Sequence, residues 1–383
     1  MVIRIVLAVL LATAVAVAVS LFNDPAAEPV TPDPPRPAAA TPEEQMTVQD
    51  LREQAAMDPD SGSALHLAAK LGKVDAIGQL LDAGEAINTE DAAGMTPLMR
   101  AAWDDHADAV ATLVQRGADV NYQGMNGWTA LLSAARGSGR EAAQLLIDAG
   151  ADLETPYADG STPLLIAAAY GRAETMQALL EAGADVEAVE RGGTTALMQA
   201  VLHRDPAKVA LLLEAGADTD VKNQLTLTPL MLAAMYGQER ITAQLIEAGA
   251  NLEVMDRNEH TAVVWATQFG TPRVLALLVE AGANLDHQTS EGETPLMLAA
   301  TMNAPEKVQI LCAGGADLTL RDADGMTALM LAASTAEAEV VETLLDAGAD
   351  RTALNDKGLN ALDLAVRRDD DQASRIRQLL VRP

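Results

Sequence analysis

Five histidines and one cysteine are the side chains in this sequence best suited to holding a metal or acting as a nucleophile, and their spacing supports neither role. The histidines stand at 66, 106, 203, 260 and 287, with no His-Glu-x-x-His run and no Cys/His pair at zinc-ligand spacing. Each reads as a surface residue or one lodged between structural units. Cys312 has no second cysteine to pair with, so no intramolecular disulfide forms and no redox compartment follows. Asp322-Ala323-Asp324-Gly325 opens like a calcium loop, but the later ligands and the terminal glutamate are missing. Gly192-Gly193 reads as a turn rather than a phosphate loop. No catalytic residues, no metal site and no cofactor are expected, and the chain is not expected to be an enzyme.

One constellation remains, and its chemistry is recognition rather than catalysis. Tyr170, His203, Tyr236 and Phe269 follow one another at 33-residue steps, and Leu202 and Met235 precede two of them. Aromatic residues are only 2% of the chain, and Trp103 and Trp128 add two more to the same stretch. Aromatic side chains are favoured hot spots at protein interfaces. The same rings could instead pack between neighbouring units, and the sequence leaves both readings open.

The elements that position these residues follow from one period. Thr96-Pro97-Leu98 recurs as Thr129-Ala130-Leu131, Thr162-Pro163-Leu164, Thr195-Ala196-Leu197, Thr228-Pro229-Leu230, Thr261-Ala262-Val263, Thr294-Pro295-Leu296 and Thr327-Ala328-Leu329, always 33 residues on. Ser63-Ala64-Leu65 and Asn360-Ala361-Leu362 extend the frame at its two ends. Gly84, Gly117, Gly150, Gly183, Gly216, Gly249, Gly282, Gly315 and Gly348 keep the same step. Each unit reads as two short helices. The threonine caps the first by accepting a backbone N–H, and proline sits where its missing N–H costs nothing. Leu98 and Ala101-Ala102 give one apolar face, and Val110 and Leu113-Val114 the other. Gly117 then lets the chain leave the second helix through a left-handed conformation. Pro206, Pro272 and Pro305 fit the first turn of second helices. No unit can bury its apolar face alone, so the array of ten is the folding unit.

The motifs Thr162-Pro163-Leu164…Ala167-Ala168, Gly171, and Leu179-Leu180…Gly183-Ala184-Asp185 resemble the ankyrin repeat, and the likeness covers nearly all of the chain beyond residue 57. The resemblance implies an all-α solenoid with β-hairpin-like fingers and a curved, L-shaped stack. It also implies protein binding without catalytic chemistry, and it puts the ends of the first helices, hence Tyr170, His203, Tyr236 and Phe269, on the concave side. Trp103 and Trp128 fall at positions that vary in such repeats. The family's histidine after Thr-Pro-Leu survives only as His66. Met99, Met198, Met231, Met297 and Met330 replace it, so thioether packing is expected there; Asp363 stands there in the last unit. The turn glycine persists at Gly72, Gly171, Gly237 and Gly270 but becomes Asp105, Ser138, Arg204, Asn303, Ala336 and Asp369. Arg204 and Ala336 tolerate left-handed geometry least, so those units are expected to be strained or altered. Cys312 occupies the slot of Leu81, Val114, Ile147 and Leu345 and is expected to be a buried, inert thiol.

Composition and ends complete the reading. The net charge of −29 solvates an elongated surface and excludes nucleic acid and anionic lipid as partners; it favours a basic partner protein. Residues 1–22 carry Arg4 and then a charge-free run from Ile5 to Phe22, the form of a signal peptide or of a signal anchor. Either form places the remainder outside the cytoplasm (in the periplasm if bacterial), and membrane contact arises only if the segment is uncleaved. Residues 23–41 form a Pro/Ala-rich linker. Pro42 to Met57 is expected to be an N-terminal capping helix with a capping box at Thr41-Pro42-Glu43-Glu44 and Val48, Leu51 and Ala55 on one face. Residues 58–383 are the ten repeats, with 355–383 as the C-terminal cap, whose helix Ala373 to Val381 exposes Arg375, Arg377 and Arg382. The expected function is a monomeric scaffold or adaptor in the cell envelope that holds a partner protein. A purely structural spacer or an inhibitor of an extracytoplasmic enzyme are the alternatives.

Overall fold

The computed structural model describes residues 46–57, 62–137 and 139–381. A single helix, Val48–Met57, precedes the array. The first helices of the ten repeats are Ala64–Lys70, Pro97–Trp103, Ala130–Arg136, Pro163–Ala169, Ala196–Leu202, Pro229–Met235, Ala262–Gln268, Pro295–Thr301, Ala328–Thr335 and Ala361–Val366. Their second helices are Val74–Asp82, Ala107–Gln115, Arg140–Asp148, Ala173–Glu181, Pro206–Glu214, Glu239–Glu247, Pro272–Glu280, Pro305–Ala313, Ala338–Asp346 and Ala373–Val381. First helices pack on first helices and second on second along the chain.

The sequence markers act as local chemistry requires. The hydroxyl of Thr96 accepts the Met99 N–H at 3.3 Å, and the equivalent threonines do the same. Thr261 is the exception and makes no side-chain cap. The glycines that end the second helices, Gly84 to Gly348, all adopt φ between 83° and 93°. In the first repeat the Ser63 N–H donates to His66 Nδ1 at 3.1 Å, which puts the ring proton on Nε2; Nε2 then donates to the Thr89 and Met95 carbonyls at 2.8 and 3.0 Å. At two of the five positions where methionine replaces histidine, sulfur takes over the first of these bonds. The Thr96 N–H reaches Met99 Sδ at 3.3 Å, and the Thr294 N–H reaches Met297 Sδ at 3.5 Å.

Between repeats, each finger is a tight turn closed by backbone bonds, such as Asp91 N–H to the Met95 carbonyl and Gly94 N–H to the Asp91 carbonyl, both at 2.9 Å. Strands do not form among the described residues; one isolated antiparallel bridge, Val189 to Thr195, is the whole of the hairpin character. The two arms of a finger are too short for a ladder, and in five fingers an asparagine or aspartate side chain adds to the closure. Asp322 Oδ1 accepts the N–H groups of Asp324 and Met326, which is the work of the Asp-Ala-Asp-Gly segment. Part of the acidic excess is structural in the same sense. Glu154, Glu187 and Glu253 accept the backbone N–H of Asp185, Asp218 and Asn284, each 31 residues on and each at 2.8 Å. Asn88, Asn121, Asp220 and Asp286 fill the same slot at four further junctions.

Three expectations need correction. The leading helix begins at Val48, where Thr47 and Asp50 cap each other reciprocally, and only Leu51 of its apolar face is fully buried; residues 41–45 lie outside the described residues. The turn after the first helix comes in two forms. Gly72, Asp105, Arg204, Gly237 and Asn303 are left-handed at φ 55° to 66°, so Arg204 does carry the strain. Ala336 avoids it with an extended backbone, φ −91° and ψ 176°. Gly171 and Gly270 are not left-handed either. They are needed for a different reason: a Cβ at Gly171 would sit 2.1 Å from the Ala135 carbonyl oxygen, and one at Gly270 would sit 2.4 Å from that of Ala234. Finally, Arg377 in the last helix is half-buried while Arg375 is exposed and pairs with Glu342 at 3.1 Å; Arg382 lies outside the described residues.

Candidate functional site

Tyr170, His203, Tyr236 and Phe269 are the residues that close the first helices of repeats four to seven. The ends of three of these four helices are held by polar side chains reaching across from the following repeat. Lys208 Nζ donates to the Ala168 carbonyl at 3.0 Å, Gln238 Nε2 to that of Val201 at 2.9 Å, and Lys307 Nζ to that of Thr267 at 2.7 Å. A cation suits a helix C-terminus, where the unpaired carbonyls concentrate negative charge. Burial pushes the pKa of both lysines below the usual range. Tyr170, His203 and Phe269 therefore stand on a pinned backbone.

The four residues share a sequence position but not a backbone conformation. Tyr170 and Phe269 have φ near −121° and −126° and precede the close-approach glycines. His203 and Tyr236 have φ of −84° and −86° and precede left-handed residues. The rings consequently do not form one uniform file. Tyr170 meets His203 edge-on at 5.3 Å, but no ring pair joins His203 to Tyr236 or Tyr236 to Phe269.

What the structure brings together is a different group, spread over repeats two to four. Trp103 lies 6.1 Å from Trp128, and Trp128 meets Tyr157 edge-on at 5.0 Å. The Trp128 indole N–H donates to Ser133 Oγ at 2.8 Å, which fixes the ring. Arg136 bridges this set to the ladder, its guanidinium 5.8 Å from the Trp103 ring and 4.6 Å from the Tyr170 ring. Trp103 is 38% exposed, and Trp128, Tyr157, Arg136 and Tyr170 are half-buried, so the group offers surface without being loose. Leu202 is half-buried beside His203, which is exposed.

The remaining predicted residues separate from this group. Tyr236 is half-buried with the Arg204 guanidinium 5.9 Å from its ring. Burial raises its phenol pKa. Phe269 packs at 5.6 Å on Trp265, a ring 2% exposed that also meets His260 at 5.5 Å. Met235 is 5% exposed and presents almost nothing to a partner, because it turns into the seam between helices. The sequence reading does not place Arg136, Tyr157 and Trp265 at the site, and it gives Arg204 only as a strained turn residue. Arg136 shares the register of Trp103 and Leu202, so aligning the units by charge as well as aromaticity finds it. Tyr157 stands where other fingers have Asp91 or Asn223, a substitution that the period also exposes.

Elsewhere the chemistry is structural. Cys312 is half-buried rather than fully buried, since its slot faces the edge of the second-helix layer, where Val114, Ile147 and Leu345 are also half-buried. Its burial still raises the thiol pKa. His66 is 1% exposed, and burial holds its pKa below the ordinary value. Among the described residues no three His, Cys, Asp or Glu side chains converge to hold a metal ion, and no helix is long and apolar enough to cross a membrane.

The stacked two-helix repeat and its capping chemistry define a repeat protein of the ankyrin class. The family model for ankyrin repeats, in sets of three copies, matches residues 38–124, 65–157, 131–223, 197–289, 230–322 and 296–381. The chain belongs to the ankyrin-repeat family, whose members generally mediate protein–protein interaction. No curated protein matches it.

Proposed function

We propose that this protein is a non-enzymatic scaffold that holds a partner protein on its first-helix face, in the cell envelope. The observation that carries the reading is the linked group Tyr157, Trp128, Trp103, Arg136 and Tyr170: half-exposed aromatic surface on fixed helix ends, in a chain otherwise poor in aromatics. Rings already ordered before binding lose little entropy on contact. His203, Leu202, Tyr236 and Phe269 extend the surface along the stack, roughly 10 Å per repeat, the spacing of packed helices. The span over repeats four to seven is then on the order of 30 Å, enough for the core of a standard interface. The net charge of −29 favours encounter with a partner of net positive charge.

The envelope location rests on Arg4 and the charge-free run Ile5 to Phe22, which lie outside the described residues. The reading is of a monomer, with the membrane touched only through that segment. The test is capture from the native envelope with mass spectrometry, followed by affinity measurements on variants. Trp103→Ala or Tyr170→Ala should weaken the captured partner by at least about 2 kcal/mol, and the exposed second-helix change Glu174→Ala should leave it unaltered. Equal affinity of all three variants would move the function away from this face and towards a spacer.

A further inference from the structure

The charge of the first-helix face runs against that of the chain. The register of Trp103 and Asp104, carried through the ten repeats at 33-residue steps, marks the ends of the first helices to within one residue. Of these twenty residues one, Asp104, is acidic, while four, Lys70, Arg136, Arg367 and Arg368, are basic. The chain as a whole has 55 acids to 26 bases. Many of those acids lie instead on the second helices or serve the ladder between fingers.

Two arginines stand out on this face by how they are held. The Arg136 guanidinium is 5.8 Å from the ring centre of Trp103 and 4.6 Å from that of Tyr170, and among the described residues no carboxylate pairs with it. Ring faces hold the plane of a guanidinium but do not satisfy its in-plane N–H donors, which keep the fork geometry that matches a carboxylate. Arg204 repeats the arrangement two repeats on, over the ring of Tyr236 at 5.9 Å, also without a carboxylate partner among the described residues. It does so from φ 57°, a left-handed conformation that is strained for an L-residue, where Gly72 and Gly237 make the same turn freely. In each case the arginine comes from one repeat and the tyrosine from the next.

We infer that this face receives an extended segment of the partner protein through two of its carboxylate side chains, one at Arg136 and one at Arg204. The inference rests on the reading of the face as a partner site. Tyr170 and Tyr236 are two repeats apart, roughly 20 Å at the spacing of packed helices. An extended chain covers about 3.3 Å per residue, so the two acids of the segment stand about six positions apart. Leu202 and the edge of His203 lie between the two arginines, so the intervening residues are apolar. Local contact and long-range attraction are separate properties here. A partner of net positive charge can carry such a segment, and only the segment meets the arginines.

The experiment uses the full chain and fluorescence anisotropy with short labelled peptides. The probe carries two glutamates about six positions apart with leucine and phenylalanine between. Companion peptides replace the glutamates with glutamine, lysine or phosphoserine. Saturable binding of the glutamate peptide is expected, weakened at least tenfold by glutamine in the peptide or by Arg136→Gln, and less by Arg204→Gln. Arg136→Lys should not restore it, because a single ammonium cannot form the fork. Arg140→Gln, on the second helix of the same repeat, should change nothing, and thermal unfolding verifies that each variant is folded. Equal binding of the glutamine peptide, tighter binding of the lysine or phosphoserine peptide, or no saturable binding of any peptide overturns the inference. If Trp103→Ala abolishes partner capture while Arg136→Gln leaves it intact, the face stands as the partner site and only the carboxylate assignment fails.

Discussion

Gly171 and Gly183 stand twelve residues apart in one repeat, look alike in sequence, and are needed for unlike reasons, which makes alanine at each a sharp test. Gly183 has φ 92°, and a Cβ there meets nothing within 4 Å. Its cost is the left-handed backbone alone, about 1–2 kcal/mol for Gly183→Ala; Gly183→Val should exceed that, because a β-branched residue fits this region worse. Gly171 has no such φ, but its Cβ would lie 2.1 Å from the Ala135 carbonyl oxygen and 2.9 Å from Ala167 Cα. Carbon and carbonyl oxygen come to rest at roughly 3.3 Å, so more than about 1 Å of separation is needed. Ala135 belongs to the preceding repeat, and the separation can come only from parting two packed first helices. Overpacking typically costs about 1–3 kcal/mol, and with backbone on both sides Gly171→Ala should reach or exceed the top of that range. Urea denaturation followed by circular dichroism reads both. In an array held by neighbour interfaces, Gly171→Ala should also lower the slope of the transition, as repeats on the two sides uncouple. A Gly171→Ala midpoint no lower than that of Gly183→Ala would refute the close-approach argument.

Other outcomes follow from the same geometry. Because burial depresses the His66 pKa, the unfolded chain takes up that proton first; its contribution to stability is complete above the ordinary histidine pKa of 6.5 and is lost as pH falls from there through the lower folded value. The stability difference between the natural protein and His66→Gln should therefore shrink between pH 7.5 and more acid solution, a change that urea midpoints at several pH values would reveal. Cys312 should react with a thiol reagent in the folded state, more slowly than a free thiol and faster as pH rises, while Cys312→Val stays near neutral; complete protection short of unfolding would contradict its half-buried position. Phe269→Ala should lower the unfolding midpoint more than Tyr236→Ala, since it strips a contact from the buried Trp265 ring; the reverse order in thermal melts would argue against that packing. A reporter active only outside the cytoplasm, fused after Pro383, should be active; activity solely of a cytoplasmic reporter would rule out export.

The 33-residue period by itself determined the fold. Threonine caps, the first-turn prolines and the glycines closing second helices act within a few residues of chain, so their spacing carries the whole two-helix unit, and stacking follows because no unit buries its own apolar face. The period also found the first-helix ends as the place where aromatics gather. It could not say how those rings would group, because equivalence in sequence is not equivalence in backbone. Tyr170 and Phe269 precede glycines pressed against the previous repeat, whereas His203 and Tyr236 precede left-handed residues. That difference turns the rings apart and breaks the file into separate groups. Tertiary packing alone set Arg136 between Trp103 and Tyr170 and buried Met235 and Trp265 while leaving Trp103 in the open. These outcomes depend on contacts between side chains about 33 residues apart or more, whose directions are fixed only once neighbouring repeats have docked.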